Sequence, residues 1–262
     1  MKKLFITFFL IMLCTNVFSE NFGELGEITN LNGLSFSYNA FNELSFKNQE
    51  IIITNFESNI PLLDSKYSLI NENKISFISL ENTQEKLLAL VNEELILLYK
   101  NNDEPWIFAT NLGRQAEGLY SVSSSKMSAT SELTEGNTIY SVSNLTNLQL
   151  NKPWAEGVKG NGEGEKIIIN CRASFIYFFN GYVSYTKPYL YEQNSRPKKI
   201  KLTLLDSKEK KELIFELKDT PNPQKLSLNT FYSGKIELEI LEVYSGTKYQ
   251  DTCINSLLFL TF

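Results

Sequence analysis

From residue 197 onward, apolar and polar positions alternate one by one. In "PKKIKLTLLD", Ile200, Leu202 and Leu204 share one face, while Lys201 and Thr203 share the other. "KELIFELKD" repeats the pattern with Leu213, Phe215 and Leu217. "GKIELEILEVY" does so with Ile236, Leu238 and Ile240 against Glu237 and Glu239. Successive side chains of a strand point to opposite faces, so a period of two with one polar face predicts antiparallel sheets packed as a sandwich.

The first half is patterned differently. "YSLINENKISFISLENTQEKLLALVNEELILLYKNNDEPWIFAT" breaks into short apolar runs at Asn71-Glu72-Asn73, Glu81-Asn82-Thr83, Asn92-Glu93-Glu94 and Asn101-Asn102-Asp103. Runs of four to six residues between turn signals predict a small antiparallel β-meander. "TQEKLLALVNEELILLYK" also fits a helix, and residues 21–60 are less regular. Neither half shows the strand–helix–strand alternation of a parallel sheet. The expected fold class is all-β.

Charge divides the chain in the same way. Residues 20–124 hold 6 Lys and Arg against 15 Asp and Glu, and residues 125–262 hold 17 against 15. The serine-rich "YSVSSSKMSATS" lies at the change and reads as a linker. The opening "MKKLFITFFLIMLCTNVFSE" has the basic start, apolar run and small-residue end of a secretory leader. Cys14 raises lipid attachment, although Leu13 before it is not the small residue such processing needs. The expected organisation is a leader over 1–19, an acidic β-rich domain over 20–120, a linker over 121–128 and a jelly-roll domain over 129–262. No second segment is apolar enough to span a membrane, so an exported protein with no transmembrane segment in its mature chain is expected. Neither half is basic enough to suggest nucleic acid.

Histidine is absent, which removes His-dependent triads and most zinc sites. Cys171 and Cys253 could form a disulfide or stand as buried thiols. The glycine run from Gly157 to Gly164 leads into "EKIIINCR", a strand and not a helix start. Its spacing matches no phosphate-binding pattern, so it reads as a turn, and no cofactor is expected.

Four short motifs then carry a family resemblance: Trp154-Ala155-Glu156-Gly157, Asn180-Gly181-Tyr182, Asn194 with Arg196-Pro197-Lys198, and Tyr249 with Asp251-Thr252-Cys253-Ile254. Residues of about 125–262 resemble the NADase-type glycan-binding domain, a bacterial branch of the discoidin-like (coagulation-factor type C) jelly rolls. The resemblance implies a galactose-binding-like jelly-roll β-sandwich. Where that family usually shows Asp-Gly, this chain has Asn147-Leu148, which weakens any calcium site. The family name borrows from a catalytic domain elsewhere in a toxin, so no NAD cleavage is inferred.

The resemblance implies a non-catalytic protein that takes a glycan at loops gathered at one end of the sandwich. Glu156, Tyr182, Tyr185, Asn194, Arg196, Tyr249 and Asp251 are the expected ligand-binding residues: aromatic faces for a sugar ring and planar polar groups for its hydroxyls. Arg196 could instead pair with Glu156 or Asp251 to pin loops. Trp154 is expected in the core. Two alternatives remain: a structural or protein-interaction module of the cell envelope, and a hydrolase using Glu156 with Asp251.

Overall fold

The computed structural model describes residues 27–38, 42–55, 58, 60–109, 119–207 and 211–261. The leader, its cleavage site and Cys14 lie outside the described residues.

The first eight strands run as an antiparallel meander: β1 (Ser35–Tyr38), β2 (Asn42–Lys47), β3 (Glu50–Asn55), β4 (Pro61–Glu72), β5 (Ile75–Leu80), β6 (Lys86–Val91), β7 (Leu95–Tyr99) and β8 (Trp106–Ala109). β1 also pairs with β8, Ser37 opposite Ala109, so the meander closes into a barrel without free edges. The helix alternative for residues 83–100 gives way to two strands. Phe36, Phe46, Ile51, Leu87, Ala89 and Ile96 are among the side chains that fill the interior.

The second body is a jelly-roll β-sandwich. Its strands are β9 (Leu119–Tyr120), β10 (Met127–Ala129), β11 (Leu133–Glu135), β12 (Thr138–Tyr140), β13 (Trp154–Ala155), β14 (Lys166–Asn180), β15 (Arg196–Leu204), β16 (Lys211–Glu216), β17 (Gln224–Tyr244) and β18 (Cys253–Leu260). The hydrogen-bonded order is β13-β18-β14-β17-β15-β16. β14 and β17 are long because they serve both layers. Their register shifts between Ala173 and Phe175, a bulge that bends the strand. The alternating residues Ile200, Leu202, Leu204, Ile236, Leu238 and Ile240 all enter the core. On the outer face, Lys166 and Lys201 pair with Glu239.

The serine-rich stretch expected as a linker is bound along the edge of the sandwich. Leu119 and Tyr120 pair with β18, Val122 enters the core, and Met127 to Ala129 pair with β14. Tyr120 Oη donates to the Arg172 carbonyl, 2.5 Å away. Serine composition suggested solvent, but single apolar residues between the serines anchor the segment.

A third apolar cluster joins barrel and sandwich. Phe77, Leu88, Leu90, Leu97 and Tyr99 project from the outside of the barrel. Leu148, Tyr177, Phe179, Tyr191, Leu258 and Leu260 meet them from the outer face of the sandwich. β6, β7 and β18 are therefore buried on both faces, which is why "LLALV", "LILLY" and "LLFL" are unbroken apolar runs. Leu148, where the resembling family usually shows glycine, packs into this seam.

Candidate functional site

A cleft of about 170 Å³ opens at one end of the sandwich. One wall is the β11–β12 hairpin, which supplies Leu133, Glu135 and Tyr140. The floor is Ala155 and Cys253, from adjacent strands. The segment between β14 and β15 contributes Tyr182, Lys187, Leu190 and Asn194, and the loop before β18 contributes Tyr249 and Asp251.

Tyr182 and Tyr140 meet edge to face, with ring centroids 6.0 Å apart. Their hydroxyls interact with each other, and that of Tyr140 also reaches Glu135. Burial raises both phenols above the ordinary tyrosine value, so near neutral pH they act as neutral donors and acceptors. Tyr249 is exposed at the rim, with Lys248 Nζ 4.9 Å from its ring centroid. The Cys253 thiol is buried beneath Asp251, Glu156 and Glu135; burial first, then these carboxylates, raises its pKa. Cys253 and Cys171 are both free, and burial pushes the Cys171 thiol up to about 12. Among the described residues, no cluster of three acidic, Cys or His side chains could hold a metal.

Four of the seven expected binding residues line this cleft: Tyr182, Asn194, Tyr249 and Asp251. The other three are placed in internal contacts. Glu156 is fully buried; its Oε1 accepts from the Thr252 amide at 3.1 Å and its Oε2 from the Val158 amide at 2.8 Å. Burial nevertheless raises its pKa, with Asp251 and Glu165 adding to the effect. Both oxygens are engaged with backbone, so Glu156 shapes the loop that carries Asp251. Gly162 closes over it: φ is +69°, and a Cβ there would come within 2.3 Å of Glu156 Cγ.

Arg196 pairs with neither Glu156 nor Asp251. Its Nε and Nη2 donate to the two oxygens of Asp219 at 2.6 and 2.7 Å, and its Nη1 donates to the Asn194 carbonyl at 3.0 Å. Lys74 Nζ, from the two-residue turn of positive φ between β4 and β5, reaches the same carboxylate at 2.6 Å. Burial alone would raise the Asp219 pKa, but the bonds and charges of Arg196 and Lys74 outweigh it and hold the carboxyl low. Tyr185 turns into the seam: its hydroxyl donates to the Lys86 carbonyl at 2.7 Å, and its amide donates to Asn102 Oδ1 at 2.8 Å. Trp154 is buried in the core and donates to the Ser131 carbonyl.

Sequence reasoning missed Glu135, Tyr140 and Lys187. "LTEGNTIY" does carry a hairpin signature, with Gly136 between two short β-prone runs. Nothing local indicates that this hairpin folds toward Tyr249.

No curated protein matches the chain. Among solved structures, the chain is similar to the family 32 CBM of NanJ from C. perfringens in complex with galactose, with 15% identity over 54% of this chain and 98% of that one (TM-score 0.38). It is similar to a CBM32 from Clostridium perfringens in complex with GalNAc-β-1,3-galactose, with 15% identity over 53% and 99% of the chains (TM-score 0.40). It is also similar to allantoicase, with 12% identity over 87% and 72% (TM-score 0.35). The model of the NAD glycohydrolase translocation F5/8 type C domain matches residues 119–260, and the chain belongs to that family.

Proposed function

We propose that the chain is an exported, non-catalytic binding protein whose cleft holds a saccharide. The observation that carries this reading is the convergence of three tyrosines, Asn194 and two carboxylates from separate segments on one cleft at the end of a filled sandwich. Aromatic faces suit the apolar face of a sugar ring, and Asp251 and Glu135 can accept from its hydroxyls. Glu135 and Asp251 outnumber Lys187 in the cleft, which favours a neutral or amine-bearing sugar over an anionic one. Arg196, the group best suited to an anionic sugar, is engaged with Asp219 and the Asn194 carbonyl. Glu156, fully buried with both oxygens bonded, is not placed to exchange a proton with a bound ligand, which supports binding without hydrolysis.

The test is binding of the full chain to a glycan panel, followed by titration of the strongest neutral saccharide into Tyr249→Ala. The expected result is saturable binding lost in the variant at unchanged melting temperature. A second reading has its own support: Ile139 beside Tyr140 is 57% exposed and Tyr189 is 43% exposed, an apolar rim that a protein partner would cover. A silent panel would favour that reading.

A further inference from the structure

The segment from Gly181 to Arg196 has two sides. One carries Tyr182, Lys187, Leu190 and Asn194 into the cleft. The other carries Val183, Tyr185 and Tyr191 into the apolar seam with the barrel. Its own ordered structure is slight: one short helix, α1 (Leu190–Gln193), entered through a Ser184 Oγ bond to the Lys187 amide. So short a helix does not hold itself in place. The sandwich ties the segment's two ends, the Val183 carbonyl to the Asn151 amide and Ser195 to Asp251 and Cys253, and the barrel braces its middle. Asn102 and the Lys86 carbonyl bind both ends of Tyr185. Lys74 of the barrel braces Asp219 of the β16–β17 loop, and Asp219 holds Arg196, whose Nη1 in turn holds the Asn194 carbonyl.

The opposite rim of the cleft hangs from the same segment. The Thr247 amide donates to the Glu192 carbonyl at 2.9 Å, and the Tyr249 amide to the Gln193 carbonyl at 2.8 Å. Gly246 lies so close that a Cβ there would come within 2.4 Å of the Gln193 carbonyl oxygen. Tyr249 is thus placed by α1 and Asp251 by Ser195 just beyond it, and the barrel braces the segment that carries both.

With the cleft taken as the binding site, we infer that the N-terminal barrel is its organiser: Asn102 and Lys74 are positioning residues that set both ligand-facing loops without touching the ligand. This gives the acidic barrel a role beyond its own fold. Docking the barrel fixes in advance the segments that a ligand would otherwise have to order.

The experiment is amide hydrogen exchange on the full chain, comparing the native protein with Asn102→Ala, Asn102→Asp and Lys74→Met. Exchange at Leu190 to Asn194 and at Thr247 to Tyr249 is expected to quicken at least tenfold in Asn102→Ala and Lys74→Met. The centres of β14 and β17 should stay at native protection. Asn102→Asp keeps the acceptor for the Tyr185 amide and should restore native exchange. Unchanged protection in both loops, or equal loosening of β14 and β17, would overturn the inference. Titration with N-acetylgalactosamine runs in parallel. If the native chain binds it, Asn102→Ala should bind at least fivefold more weakly, and equal affinity would count against the barrel as organiser. If the native chain binds no sugar, the saccharide reading fails while the exchange data still decide whether the barrel sets the loops.

Discussion

Tyr182 and Tyr185 stand three residues apart on one segment and face different surroundings. Tyr185 lies in the seam, a dry contact in which tyrosine hydroxyls are matched to fixed acceptors: the Lys86 carbonyl for Tyr185, Glu94 for Tyr177 and Asp219 for Tyr191. Tyr99 alone among the seam tyrosines leaves its hydroxyl without a partner. Tyr182 lies in the cleft, where its hydroxyl has long contacts with Asn151, at 3.4 Å, and an interaction with the Tyr140 hydroxyl, beside two carboxylates that line open space. A buried polar group bonded inside the protein is architecture, because leaving it unmatched would cost about 1–3 kcal/mol. A partly exposed hydroxyl held by long contacts and by another hydroxyl can exchange them for those of a ligand.

The largest test of that contrast removes the seam. A fragment of residues 125–262 would expose Tyr177, Phe179, Leu258 and Leu260 and lose the pairing of Leu119 and Tyr120 with β18. At about 1.5–3 kcal/mol per large apolar side chain, four such exposures rival a whole domain's stability. The fragment is expected to aggregate or melt without cooperativity, read by size-exclusion chromatography and circular dichroism. A soluble fragment with a sharp transition would show the seam to be dispensable.

Next comes the buried pair within it. Arg196→Ala leaves Asp219 with Lys74 and the Tyr191 hydroxyl, and breaking a buried pair costs about 3–5 kcal/mol. The Asp219 pKa is depressed in the fold, so its contribution is present above the ordinary carboxylate range and is lost as pH falls through the depressed value. The native protein should therefore lose stability below about pH 4 more steeply than Arg196→Ala. Parallel acid profiles in urea melts would mean that the pair contributes nothing measurable.

Smaller effects are expected around the glycine turn. Gly160 (φ +114°) faces open space, whereas Gly162 (φ +69°) lies against Glu156. Gly160→Ala carries only the backbone penalty, about 1 kcal/mol, while Gly162→Ala also displaces a buried carboxylate and should cost about 2–3 kcal/mol. Equal melting temperatures for the two variants would mean that Glu156 yields without cost.

The contrast also shows what could be read from the sequence. Alternation marked Ile200, Leu202, Leu204, Ile236, Leu238 and Ile240 correctly, because a strand with one wet face displays its period directly. The runs in β6 and β7 read as strands, but an unbroken run does not say that two different cores claim its alternate residues. Barrel closure was equally hidden, since Ser37 meets Ala109 only through the whole fold. In the candidate site, residue type pointed to Tyr182, Asn194, Tyr249 and Asp251 and just as strongly to Tyr185 and Arg196. What separates the two sets is the partner: Asp219 in "LKDTPN" and Asn102 in a barrel loop. Neither shows a spacing that ties it to its target.

The smallest expected change in stability is the sharpest test of the cleft. Asp251 is half-buried at the cleft wall, while its backbone carbonyl, not its side chain, holds the Ser195 amide at 3.1 Å. Asp251→Asn keeps shape and backbone contacts and removes one negative charge from a site shared with Glu135 and the buried Glu156. Stability should shift by no more than about 0.5 kcal/mol, as for surface changes away from packing. The Cys253 thiol, raised partly by that charge, should become easier to ionise, and its labelling by a small alkylating reagent should begin at lower pH. A carboxylate accepts sugar hydroxyls more strongly than an amide, so binding of a neutral saccharide should weaken by about tenfold, roughly 1.4 kcal/mol. Lost stability with unchanged binding would instead place Asp251 beside Arg196 and Tyr185, as part of the architecture.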